Sequence, residues 1–186
     1  MDWVGRRSAG IVMRFDPADA QVLRGLVTGM RELIGGEGTE TGPDTGPGAD
    51  PLEALVGIGQ STQAPRDPAL ARLLPDGYTD DAEAAGEFRR LTEASLRRHK
   101  SETAQRVLDS LPAEGGRVCL DAEATRAWLS ALNDIRLVVG TRLDVTEEMD
   151  TPEPGDPRGP GYELYRWLTL LQELLVEATM GESAPE

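Results

Sequence analysis

Four groupings in this chain of 186 residues carry the side-chain types that chemistry requires, and their spacing decides what each can do. His99 is the only histidine and Cys119 the only cysteine. A Cys–His dyad needs a thiolate stabilised by a positive surrounding, whereas Cys119 stands in the apolar run Arg117-Val118-Cys119-Leu120 and reads as inert strand packing. His99 lies in Arg97-Arg98-His99-Lys100, which reads as a solvated basic face. Gly57-Ile58-Gly59-Gln60-Ser61-Thr62 is glycine-rich, but Thr62 replaces the third glycine of a dinucleotide loop and no lysine is near, so its glycines read as the end of a short helix. Asp144, Glu147, Glu148 and Asp150 have charge enough for a hard cation, yet lack the alternating ligands and central glycine of a calcium loop, and read as a solvated acidic loop. No Gly-x-Ser-x-Gly nucleophile elbow is present. The residues imply no catalytic centre, no metal and no cofactor.

The fourth grouping is a polar set, Asn133, Asp134, Arg136, Thr141 and Arg142, set in a helix pattern that is otherwise apolar. At 3.6 residues per turn Trp128, Ala131, Leu132, Ile135, Val138, Val139 and Arg142 form one broad stripe, and Leu137 points the other way beside Asn133 and Gly140. Both sides therefore expect a neighbour, and the helix is expected to run through the middle of the domain. Buried polar groups need partners, and Glu87 and Arg90 are the candidates. The plain reading is a structural network that pins helix register, and the alternative is a site for a ligand or partner.

The elements that must position these residues are mostly helical. Ile11, Met13 and Phe15 alternate as a short strand, with residues around Trp3–Arg7 as its partner. Asp16-Pro17 then supplies an N-cap carboxylate and a proline at the first helical position, so a helix is expected to about Ile34, with Val22, Leu23, Leu26, Val27, Met30, Leu33 and Ile34 as its core face and Gly35-Gly36 as its end. The same signal at Asp50-Pro51 and Asp67-Pro68 predicts two short helices. Pro75-Asp76-Gly77 is a turn before a helical run from about Asp80 to Leu111. The phase of that run slips near Thr92, which predicts two helices with a tight joint. Arg117–Leu120 reads as a second short strand, Asp121 caps the central helix, and Tyr162 to about Met180 forms the last. Residues 35–50 and 144–160, rich in glycine, proline and acids, read as mobile loops, and 182–186 as a frayed tail. The fold class expected is mainly α, a single-domain helical bundle with one or two short edge strands.

Charge and composition bound the partners. A formal net charge of -14 repels a phosphate backbone, so nucleic acid is a poor partner. The net-positive stretch from Glu87 to Arg106 nevertheless permits a helix-turn-helix reading of the 80–110 region. The N-terminus lacks the apolar stretch of a secretory signal, and Trp167–Val176 is too short to span a bilayer. A lone cysteine fits a reducing cytoplasm.

Three segments carry a family resemblance: Glu87-Phe88-Arg89-Arg90-Leu91-Thr92, then Leu132-Asn133-Asp134-Ile135-Arg136-Leu137 with Gly140-Thr141-Arg142-Leu143, and Trp167-Leu168 with Leu171-Gln172-Glu173. With these the chain resembles, over nearly its whole length, an actinobacterial family of unknown function often encoded beside the adaptor of the Clp protease. The resemblance implies a setting in proteostasis or sulfur metabolism, carries a regulatory label, and implies no established activity. The expectation is a non-enzymatic cytoplasmic module that binds protein or self-associates as a homodimer through a helix face, because Leu137, Tyr165 and Val176 lie off the main apolar stripes. Two other readings are a transcription factor using the Leu91–Arg106 region, and an enzyme or small-anion binder using Glu87, Arg90, Asn133 and Arg136, which requires a pocket lined by those groups.

Overall fold

Aspartates set the helix starts. The Asp16 carboxylate accepts from the Asp19 amide at 2.8 Å, opening helix α1 (Pro17–Gly36). Asp67 accepts from the amides of Ala69 and Leu70 to open α2 (Pro68–Leu73), Asp81 does the same for α3 (Ala82–Ser110), and Asp121 caps α4 (Ala122–Arg142). The last helix, α5, is Gly159–Met180. It begins before Tyr162 because Pro160 falls in its first turn, where a missing amide donor costs nothing. The computed structural model describes residues 3–7, 10–36, 62–146 and 156–180. The helix expected after Asp50-Pro51 and most of the two expected loops lie outside these residues.

A small antiparallel sheet completes the fold, ordered β1 (Trp3–Arg7), β2 (Gly10–Phe15), β3 (Gly116–Leu120). Its register pairs Trp3 with Arg14 and Phe15 with Gly116. Gly10 takes φ 129° and a Cβ there would stand 2.1 Å from the Leu120 carbonyl oxygen, so only glycine fits the turn into β2. Alternation puts Ile11, Met13 and Phe15 with Val118 and Leu120 on the face that meets the helices. There the Phe15 ring stacks on Trp128 with centroids 5.7 Å apart. Trp128 is wholly buried, and its indole N–H is satisfied by the Ser110 hydroxyl at 2.9 Å. The protein is mainly α, as its sequence implies.

α4 packs against α1, α2, α3, α5 and β3, and buries Thr125, Ala127, Trp128, Ala131, Leu132, Asp134 and Ile135. Its enclosure is one-sided, however. Asn133 and Leu137 are exposed, Leu137 at 36%, so the neighbour expected on that side is not supplied by the described residues.

The Asp80–Leu111 run is a correction. It folds as one continuous helix, and Thr92, read as the cap of a second helix, bonds its hydroxyl back to the Phe88 carbonyl at 2.8 Å within the same helix. Both α1 and α4 pack against this one helix. A helix-turn-helix reading of 80–110 therefore has no turn on which to rest.

Candidate functional site

Asp134 and Arg136 lie one residue apart on either side of Ile135, so α4 aims them at different neighbours. Asp134 faces α3, where its Oδ1 accepts from Lys100 Nζ at 2.7 Å with only 4% of the Asp134 side chain exposed. Its Oδ2 is buried and accepts no hydrogen bond. Arg136 faces α5. Its guanidinium donates to the Gln172 side-chain Oε1 at 2.7 Å, the Thr169 hydroxyl at 3.1 Å and, more weakly, the Tyr165 hydroxyl at 3.4 Å, and it stands 5.4 Å from the Tyr165 ring centroid. Close approach of the helices makes this possible: a Cβ on Gly140 would lie 3.2 Å from the Tyr165 ring.

Every acceptor that Arg136 uses is neutral. The half-buried guanidinium has no carboxylate among its hydrogen bonds, in a chain where acids far outnumber bases. It opens onto a hollow of about 320 Å³ lined by Arg136, Thr169, Gln172, Glu173, Val176 and Glu177. Leu137, Leu170 and Val176 are exposed on the two helices that build it. The arrangement holds a fixed cation beside an aromatic ring, two carboxylates and exposed aliphatic side chains. It offers no nucleophile and general base in contact.

The polar residues expected to converge are divided among separate places. Glu87 pairs with Arg90 at 3.3 Å along α3, with Glu87 60% exposed. Asn133 is exposed. Thr141 bonds back to the Leu137 carbonyl at 2.7 Å, and Arg142 reaches across to the Asp67 carboxylate. Burial pushes the Asp67 carboxyl up, but the Arg142 hydrogen bond and the α2 amides more than offset it and hold the group below its ordinary value. None of Glu87, Arg90 or Asn133 lines the Arg136 hollow.

Sequence reasoning missed the network that does pin register. Arg89 is 4% exposed and donates to the Leu74 carbonyl at 3.0 Å, to Asp76 at 2.6 Å and to Glu93 at 2.6 Å. Burial pushes this guanidinium toward neutrality, and the two carboxylates more than restore its charge. Glu93 also holds Arg97, which donates to the Ile34 carbonyl at the end of α1. The signal available was the spacing of Arg89, Glu93 and Arg97, four residues apart on one helix row. Cys119 departs from its reading as well: it is exposed on the outer face of β3, because strand alternation buries Val118 and Leu120 instead. His99 lines a polar groove of about 500 Å³ between α3 and α4. Among the described residues no group of three His, Cys, Asp or Glu side chains is placed to hold a metal, and no helix is long and apolar enough to cross a membrane.

The profile of DUF2017, a domain of unknown function, matches residues 1–179. The chain belongs to the DUF2017 family. It is 36% identical over 184 residues to the AosR protein of Mycobacterium leprae, covering 89% of this chain and 80% of that one. It is 34% identical over 180 residues, with the same coverage, to proteins named oxidative stress regulator AosR in Mycobacterium bovis and Mycobacterium tuberculosis. No solved structure matches the chain. The actinobacterial resemblance and its unknown-function family are thus shown, and mycobacterial relatives carry a regulator's name.

Proposed function

We propose that this DUF2017 protein is a non-enzymatic cytoplasmic regulatory module that works by protein contact, self-associating through the face shared by α4 and α5. One observation carries the reading: Arg136 presents a guanidinium that bonds no carboxylate, 5.4 Å from the Tyr165 ring centroid, in a hollow lined by Glu173, Glu177 and exposed Val176, with Leu137 exposed on the same helix. Arginine and tyrosine at the centre of a patch are the side chains that most often anchor protein interfaces. Cation and carboxylates lie side by side, so a second copy turned about a two-fold axis would set Glu173 or Glu177 of one chain against Arg136 of the other. The relatives' name supports oxidative stress as the condition to which such a module responds. Within these 186 residues an internal disulfide is not available as the signal, since Cys119 has no second cysteine to join.

Charge reversal tests the reading. Arg136→Glu should yield a monomer by size-exclusion chromatography, Leu137→Ser should weaken the dimer without touching the cation, and Arg136→Glu with Glu173→Arg should restore it. A dimer unchanged by all three variants sinks the proposed face.

A further inference from the structure

Only 4% of this chain is aromatic, yet Tyr78 and Phe88 stand together at the surface, 52% and 43% exposed, with their rings edge to face at 5.9 Å. Leu91, 53% exposed, lies one turn along α3 from Phe88. Burying these side chains would be favourable, so their exposure asks for a partner. The cluster is held rather than loose. Arg89, buried on the other side of α3, grips the Leu74 carbonyl and Asp76, and so fixes the turn that carries Tyr78. Gly77 lies against the Phe88 ring, where a Cβ would come within 2.5 Å of it. A platform fixed in this way loses little entropy when it is covered.

Its surroundings are acidic. Asp80, Asp81 and Glu83 follow Tyr78 and are exposed, and Glu87 shares a helix row with Glu83 and Leu91. Arg90, the basic residue alongside, is paired with Glu87. We propose that Tyr78, Phe88 and Leu91 form a docking platform for a basic amphipathic helix of a partner protein, whose apolar face covers the rings while its lysines and arginines meet the acids. Charge excludes the other occupants. A second copy would bring the same acids, in a chain of net charge -14, and an anionic lipid or nucleic acid surface would be repelled. This surface is built from elements other than the α4–α5 face and stands whether or not that face forms a dimer.

The probe is a fluorescein-labelled synthetic helix with leucines at i, i+3, i+4 and i+7 and lysines elsewhere, titrated with the full chain and read by anisotropy. Its counterpart carries glutamate in place of lysine. Binding of the lysine helix is expected, weakened by salt, with the glutamate helix not binding. Phe88→Ser combined with Leu91→Ser should raise Kd by about tenfold or more, while Arg136→Glu and, on a different element, Glu163→Gln leave it within about twofold. An unchanged circular dichroism spectrum is the expected check that both serine substitutions, at exposed positions, leave the fold intact. Four results would overturn the proposal: no binding, binding indifferent to the serine substitutions, a dimer lost only in the serine variant, or adsorption to phosphatidylglycerol vesicles lost only in that variant.

Discussion

Two charged side chains on α4 show how one residue of separation decides a role. Asp134 is buried against Lys100, a residue 15% exposed, and neither can lose its partner without leaving a desolvated charge. Asp134→Ala should therefore cost about 3 kcal/mol in urea unfolding. Lys100→Met joined to Asp134→Leu should recover most of that loss, because no Lys100 ammonium is then left desolvated without its partner. If the double variant is as unstable as the single one, the pair contributes more than charge balance. Arg136 differs in kind, since its hydrogen bonds run to neutral oxygens and its charge stays available to a neighbour. A polar residue in an apolar helix was legible as special in the sequence. Which neighbour it would take was not, because periodicity gives the face of a helix and not the residue across from it.

Among the elements, caps read most directly. Asp16, Asp67 and Asp121 each accept an amide hydrogen bond at a helix start that the sequence marks, and that chemistry is local; Asp81 caps α3 in the same way, although the sequence reading began that run at about Asp80 and named no cap. Asp67 adds a tertiary contact through Arg142, which joins the start of α2 to the end of α4. Its carboxyl is held below the ordinary 3.8, so the ionised form stabilises the fold above that pH, and the contribution is lost as pH falls through the depressed folded value. Thermal melts from pH 5 down to 2.5 should show wild type losing more stability below 3.8 than Asp67→Asn does. Equal slopes would remove the linkage. The break expected at Thr92 failed for a physical reason: a threonine can cap a helix or bond back within one, and the contacts of α3 with α1 and α4 select the second. Alternation made β2 legible; β1 was expected only as its partner and β3 only as the short run Arg117–Leu120, and the sheet has three strands where one or two were expected.

For the whole molecule, the apolar excess of α4 predicted enclosure on every side, and the fold encloses all but the Asn133–Leu137 side. The Arg136 hollow beside it joins two helices separated in sequence, so no local pattern could have located it. This open side is where two copies of the chain are proposed to meet. Sedimentation velocity of the wild-type protein from about 1 to 100 μM tests it most directly, since an interface anchored by arginine and tyrosine is expected to reach micromolar affinity. The expected result is a dimer that dissociates on dilution and that Arg136→Glu abolishes. A wild-type monomer across the whole range, with the same profile as the variant, would contradict it.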